Sequence, residues 1–307
     1  MNQRRVSLPR SNRFINRNRI KKDNVSMEIK SGIENSDEFM QESNTLLEIN
    51  NFRVMEGHYE LFDTYEDDSN KYSISIGFII VATGKYDIFV EPLIRSIEKY
   101  VLPNNKKYYN IFSDKSIHVE GIDLNVFKIE HRPFPYPTLK RFHFFDQYRD
   151  QIKGDQLAYI DADTLITENI GTEIITPITV TQHCGFITRI GTFETRENSS
   201  CYVHPRDKKN YFGGGFYSLS RDNFLNMTTY CKNLIDSDES IGIIPVWHDE
   251  SALNKFVTTI TPTRVLSPSY HYPQNHESIY RSWGNNGKET FMCKILLLEK
   301  NHTEIRS

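Results

Sequence analysis

From Tyr72 onward, short apolar runs of strand length take turns with segments of helical period, and this alternation limits the chain to few architectures. SISIGFIIVAT reads as a buried strand closed by Gly84. In DIFVEPLIRSIEKYV, the residues Val90, Leu93, Ile94, Ile97 and Val101 share one helical face. KKYYNIFSD and LNVFKIEH read as second and third strands. TLKRFHFFDQYRDQI reads as a helix with Leu139, Phe142, Phe145 and Tyr148 in step, and QLAYI is a fourth strand that runs straight into Asp161. Such a series predicts an α/β fold, with a mostly parallel central sheet flanked by helices. Ligands of such sheets sit beyond the carboxyl ends of the strands.

Asp161 and Asp163 of YIDADTLI lie at such an end. In an extended chain, side chains two apart point to one side, where a divalent cation can bind both. The competing reading is an Asp that caps the following turn. A second Asp-x-Asp, Asp236 and Asp238, follows a helical segment among polar residues and reads as a solvated helix exit. In VWHDESALNKFV, the residues Trp247, His248, Asp249 and Glu250 precede helical spacing at Leu253 and Phe256. These acids either face a polar ligand beside the tryptophan, or Asp249 or Ser251 caps the helix. Gly213, Gly214 and Gly215 in YFGGGFY either admit a ligand close to the backbone or make an ordinary turn. In the ending ILLLEKNHTEIRS, Leu296 to Leu298 read as a short buried strand, and Lys300 and Arg306 as solvated cations or as a clamp on a diphosphate.

Composition narrows the function classes. No apolar run reaches the length of a membrane span, and no hydrophobic segment marks a signal peptide. The four cysteines have neither zinc nor redox spacing, which suits a reducing compartment. A net charge of −3 gives no reason to expect a nucleic-acid partner. Residues 1–22 carry eight Arg or Lys and no acid, and the chain then turns acidic up to YEDDSN. Residues 1–70 are therefore expected to be a largely disordered extension, and residues 71–307 the folded domain. Neither a phosphate-loop nor a dinucleotide-binding glycine motif is present.

The segments VATGKY, TLKRF, YIDAD, HCGF, FETRENSSCYV, YFGGGFY, VWHDESALNKF and PTRVLSPSY, in that order, resemble glycosyltransferase family 6. The family includes the blood-group A and B transferases and α1,3-galactosyltransferase, and the resemblance spans Tyr72 to Arg306. It implies a GT-A fold with a closing C-terminal tail. The implied reaction is Mn2+-dependent, retaining transfer of N-acetylgalactosamine or galactose from a UDP-sugar to the 3-hydroxyl of a galactoside. By matched position, Val81, Thr83, Tyr86, Arg141 and Ala162 would line the donor site, and Asp161 and Asp163 would hold the metal. Lys300 and Arg306 would clamp the phosphates. Asp249 would bind donor hydroxyls, and Glu250 would be the catalytic carboxylate. His183, Trp247 and His248 would face the acceptor. Gly185, Gly213, Gly214 and Gly215 would border the donor sugar. Glycine at 185 and 215 leaves room for an acetamido group and favours UDP-N-acetylgalactosamine over UDP-galactose.

Animal members carry a membrane anchor, whereas this chain begins with a basic head, as bacterial members do. That predicts a cytoplasmic enzyme, with the Golgi lumen as the alternative if an anchor is missing. Many bacterial members replace both aspartates with Asn, but both are Asp here, which predicts metal dependence. Two rivals stand against this reading. One is a sugar-binding protein of the same fold that transfers weakly or not at all. The other is a phosphatase of the haloacid-dehalogenase type, whose later Gly-Asp motif the sequence lacks.

Overall fold

The computed structural model describes residues 47–49, 52–54, 59–67, 73–276, 279 and 291–305. Residues 1–46 lie outside these, so the expected basic head does too. Strands β1 (Leu47–Ile49) and β2 (Phe52–Val54) pair as an antiparallel hairpin. The expected extension through residue 70 meets the main sheet before its end. Strand β3 (Leu61–Phe62) pairs in parallel with β11 (Arg264–Leu266). Glu66 pairs with Arg264 at 2.7 Å. A two-residue strand is too short to show as a period in the sequence.

The main sheet has eight strands. Besides β3 and β11 they are β4 (Ile76–Val81), β5 (Lys107–Ser113), β6 (Leu124–Lys128), β7 (Gln156–Ile160), β9 (Ile178–Gln182) and β10 (Phe212–Ser220). Their order is β3-β11-β9-β10-β7-β4-β5-β6. Every pair is parallel except the two that β10 makes, with β7 and β9.

Helices cover both faces, which is why β4 is apolar along nearly its whole length rather than alternating. Ile76, Phe78 and Ile80 pack in one layer with Val90, Leu93, Ile94 and Ile97 of the helix Val90–Tyr100. Pro92 sits in the first turn of that helix, where its missing N–H costs nothing. Ile79, Leu157, Tyr159 and Tyr217 pack in the other layer, with Phe142 and Phe145, with Phe224, Met227 and Cys231 of Arg221–Ser240, and with Leu253 and Phe256 of His248–Val257.

Three local expectations change. The helix expected over TLKRFHFFDQYRDQI is two short ones, Tyr136–Leu139 and Arg141–Gln147, joined at Lys140. The C-terminal strand β13 is Ile295–Leu297, of which only Ile295 is fully buried. Asp236 and Asp238 are not a helix exit, because Arg221–Ser240 runs past both. Asp238 is 0% exposed and accepts from the Ser199 hydroxyl at 2.5 Å and from the Ser200 amide. It pins the loop before β10, while Asp236 pairs with His143 at 2.7 Å.

A three-stranded sheet closes the carboxyl end of β7. In it β13 lies between β12 (Tyr272–Pro273) and β8 (Thr164–Ile166). Leu297 pairs with Thr164, and the Leu298 amide donates to the Asp163 carbonyl at 3.0 Å. The chain after β13 is thus delivered beside Asp163.

Candidate active site

The chain does not stay extended after β7. It turns at Ala162 and Asp163 before β8 begins at Thr164, and the Thr164 hydroxyl donates to the Asp161 carbonyl at 2.7 Å. Even so, Asp161 and Asp163 line one cavity, together with Val81, Thr83, Tyr86, Arg141, Ala162 and Lys300. The turn does what two-residue alternation was expected to do. The Asp161 carboxylate accepts from the Tyr159 hydroxyl at 2.6 Å, and Asp163 is met by the Lys300 ammonium. That ammonium also lies 5.2 Å from the centre of the Tyr86 ring. The last described helix, His302–Ile305, is tied down by Lys85, whose ammonium donates to the Glu304 carbonyl at 2.7 Å.

Arg141 connects this cavity to the start of the helix His248–Val257. Its guanidinium reaches Asp249 at 3.0 Å and Asp161 at 3.5 Å, donates to the Gly214 carbonyl at 3.0 Å, and lies over the Tyr159 ring at 4.4 Å. The glycine run is gripped by its backbone on several sides. The Gly214 amide donates to Glu250 Oε2 at 2.9 Å, and the Gly215 carbonyl accepts from the Asp161 amide at 2.9 Å. Here β10 loses register with β9 between Phe212 and Tyr217, so Gly213–Gly215 is a break in the ladder. A Cβ on Gly214 would stand 3.1 Å from Asp249 Oδ2, and one on Gly213 would stand 2.8 Å from the His271 ring. Close approach therefore requires glycine at this place.

Asp249 does not cap the helix, and Ser251 does so only by reaching back to the cap residue's amide. Trp247 occupies the cap position with no side-chain bond to the helix, and its own amide donates to Ser251 Oγ at 2.9 Å. His248 takes a positive φ of 52° and packs edge-on against Phe134 at 5.2 Å. That kink sets Asp249 and Glu250 in the first turn, where the helix dipole favours negative charge.

The sequence of residues 14–307 matches the profile of Glycosyltransferase family 6. The chain belongs to that family. It is 27% identical over 268 residues to "Histo-blood group ABO system transferase 1" of Rattus norvegicus, covering 83% of this chain and 74% of the relative. To "Globoside alpha-1,3-N-acetylgalactosaminyltransferase 1" of Homo sapiens it is 24% identical over 211 residues, covering 64% and 61%. To the "O-antigen biosynthesis glycosyltransferase WbnI" of Escherichia coli it is 26% identical over 209 residues, covering 66% and 89%. The eight-stranded, mostly parallel sheet with helices on both faces is the GT-A architecture expected of a family 6 glycosyltransferase.

Burial dominates the electrostatics of this family 6 site. It pushes Glu250 up to about 7, against the pull of the Gly214 amide. It pushes Asp249 up to about 7 as well, against Arg141. Burial also works against the charge of Arg141, yet Asp249 and Asp161 hold the guanidinium protonated, above its ordinary value.

The residues expected on the acceptor side, His183, Trp247 and His248, are not among those that line the cavity of Asp161 and Asp163. Trp247 is 48% exposed, and His248 lines a shallow groove with Phe193–Arg196 and Ile244–Val246. The His183 ring instead lies against Phe186, Tyr211 and His271, and its Nδ1 accepts from the Gly185 amide at 2.9 Å. Gly185 borders that ring, and a Cβ there would meet it at 3.3 Å. Arg306 lies outside the described residues. Sequence reasoning missed His131, Arg132, Phe134, Pro137, Thr138 and Ile305, which line the cavity, and Tyr159, which holds Asp161. Tyr159 was within reach, since it stands two residues before Asp161 on the same strand face.

No helix among the described residues is long and apolar enough to cross a membrane.

Proposed function

We propose that this glycosyltransferase moves N-acetylgalactosamine, with galactose as the alternative sugar, from UDP to the 3-hydroxyl of a galactoside with retention. One observation carries the reading. The cavity that collects Asp161, Asp163, Tyr86 and Lys300 is joined through Arg141 to Asp249 and Glu250. A sugar–phosphate bond breaks by separating charge, so a catalyst needs cations at the diphosphate and an anion at the sugar carbon. Lys300 and Arg141 supply positive charge at the diphosphate end, where a metal on Asp161 and Asp163 would add to it, and Glu250, when ionised, supplies the anion at the sugar. The name of the human relative, a globoside α1,3-N-acetylgalactosaminyltransferase, supports the choice of sugar and linkage.

Asp161 and Asp163 fit a divalent metal of the manganese type. They offer carboxylate oxygens, which hard cations prefer, and Asp163 already carries a positive group, the Lys300 ammonium. Bound there, Mn2+ would act as a Lewis acid that neutralises the departing diphosphate. The chain's own residues do the rest. Val81, Thr83 and Tyr86 form the wall that receives the uridine. Lys300, with Arg306, balances the phosphate charge. Arg141 holds Asp249 in place to accept from sugar hydroxyls. Glu250, fixed by the Gly214 amide, presents its carboxylate to the anomeric carbon, as nucleophile or as counter-charge. Closure of the tail over the cavity excludes water and limits hydrolysis of the donor. His183, Trp247 and His248 serve the acceptor. Glycine at 185 and 215 supports the acetamido sugar, which must share the space beside Gly213 and Gly215 with the His271 ring.

The test is UDP release by the purified chain from UDP-N-acetylgalactosamine and UDP-galactose, with Mn2+ and a fucosylated galactoside. Transfer should require the metal, and Asp163→Asn should lose most of it. Donor binding without transfer to any galactoside would instead favour a glycan-binding protein of this fold.

A further inference from the structure

On the side of the glycine run away from Asp249 and Glu250 lies a cluster in which His183 serves the acceptor, while Cys184 and His271 have no part in sugar transfer. His183 and Cys184 leave the end of β9, and His271 follows the turn Pro268–Tyr270 after β11. These strands are parallel neighbours, so the sheet brings their ends together although the residues are far apart in sequence. The ligand atoms of all three side chains, two imidazole nitrogens and a thiol sulfur, lie within 4.8 Å of one another. The two rings meet edge-on at 5.2 Å.

A second observation points to something missing from this cluster. His271 is 8% exposed, and its Nδ1 has no hydrogen-bond partner among the described residues. A buried imidazole nitrogen without a partner is costly, and a cation is one group that satisfies it. Burial holds His271 down to about 3 and His183 to about 4, so both rings are neutral near pH 7 and carry a lone pair. Asp161 faces His271 and Glu250 faces Cys184 with negative charge, whereas Arg189 sets a positive charge by His183; burial, with Glu250, raises the Cys184 thiol to about 12, a cost that the metal–sulfur bond must meet.

We propose that His183, Cys184 and His271 form a binding site for a borderline-soft divalent cation of the zinc type, separate from the carboxylate pair Asp161 and Asp163. Two imidazoles and a thiolate are a zinc ligand set, whereas manganese and magnesium prefer oxygen. Metal–ligand bonds of about 2.0–2.3 Å set tetrahedral ligand atoms about 3.5 Å apart, so the three side chains draw inward on binding. Cys184 gives its thiol proton to solvent as the metal–sulfur bond forms. The Gly185 amide now donates to His183 Nδ1. The cation either takes that nitrogen or binds Nε2 and shifts the ring to its other tautomer. Both routes give up one hydrogen bond for three metal–ligand bonds. Water completes the fourth position. Occupied, the site fixes His271 against Gly213 and Gly215, and His183 with it, so zinc lowers sugar transfer.

The experiment uses the full chain, reduced and stripped of metal, titrated with Co2+ as a spectroscopic stand-in for zinc. The expected result is a set of tetrahedral visible bands and a thiolate-to-cobalt charge-transfer band, both bleached by Zn2+. Cys184→Ser should remove the charge-transfer band, and His271→Leu should weaken binding by at least about tenfold. The double variant Asp161→Asn and Asp163→Asn should keep both. Circular dichroism of each variant establishes that it is folded. A wild-type titration without the thiolate band overturns the proposal, and so does an unaltered band in folded Cys184→Ser. These binding arms do not depend on the assigned reaction. In a transferase assay at saturating Mn2+, zinc inhibition that Cys184→Ser relieves adds support, and inhibition unchanged by it counts against the link to transfer.

Discussion

The Lys300 ammonium rests on the Asp163 carboxylate, the second acid of the pair proposed to hold the metal. The two are brought together by β13 and β8, which place the tail beside the turn that carries Asp163. A cation arriving at Asp163 must therefore displace Lys300, which is then available to the diphosphate.

Lys300→Met separates these two duties. It keeps the apolar stem and removes the charge. The Mn2+ concentration for half-maximal activity should fall, because nothing competes for Asp163. The saturated rate should fall by about 100-fold, because a counter-charge to the leaving diphosphate is gone. UDP release measured against Mn2+ at fixed donor reads both. A higher metal midpoint with an unchanged rate would show that Lys300 does neither.

Arg141 and Asp249 make a second test, of stability rather than rate. Both are buried, and the guanidinium also answers Asp161 and the Gly214 carbonyl. Arg141→Met leaves Asp249 buried without its partner, at a cost of about 3–5 kcal/mol. For a chain of this size that lowers the melting temperature by about 10 °C. Arg141→Met combined with Asp249→Leu should recover part of the loss, since Asp249 no longer leaves a buried unpaired charge, and the remainder reflects the partner lost by Asp161 and the Gly214 carbonyl. Equal melting temperatures for Arg141→Met and the wild type would remove Arg141 from its structural role.

What the sequence made legible divides along physical lines. Strands β4, β5 and β7 and the helix Val90–Tyr100 could be read because burial on both faces or on one face leaves a periodic trace. Asp161, Asp163, Asp249 and Glu250 could be read because acids beside apolar runs are conspicuous. Asp238 misled for the same reason: surrounded by polar residues in sequence, it is buried by a loop from about forty positions upstream. His271 gave no sign at all, since its place against Gly213 and Gly215 depends on strands distant in the chain. Strand β3 was invisible because two residues carry no period.

Gly215 tests the assigned donor preference. A Cβ there would stand 3.0 Å from the His271 ring and 3.2 Å from Asp161 Oδ2. Both neighbours must give way by a few tenths of an ångström, and Asp161 is held by the Tyr159 hydroxyl at 2.6 Å. Gly215→Ala should therefore lower transfer from UDP-N-acetylgalactosamine by about tenfold more than from UDP-galactose, in line with one methyl group in a tight pocket. Competition between the two donors in one reaction measures the ratio. A ratio that does not move would separate Gly215 from donor choice.

Glu250 links stability and activity through pH, with opposite signs. Its carboxyl is raised by burial from an ordinary 4.5 to about 7. Below the lower value it is protonated in both the folded and the unfolded chain. Between the two values the folded chain holds a proton that the unfolded chain has released, so stability falls as pH rises. Above about 7 the group is ionised in both states and the burial cost is felt in full, up to about 3 kcal/mol. Glu250→Gln stays neutral and keeps an oxygen to accept from the Gly214 amide. Its melting temperature should match the wild type near pH 4.5 and exceed it increasingly up to pH 8. Transfer by the wild type needs the ionised carboxylate, so kcat/KM should rise with pH through about 7, while the Gln variant stays low and keeps only the shallower pH dependence that Asp249 supplies. Melting curves and UDP release over one pH series measure both trends. A melting difference that does not change with pH would mean that this carboxyl is not held protonated by its surroundings, and the proposed link between its burial and its catalytic charge would fall with it.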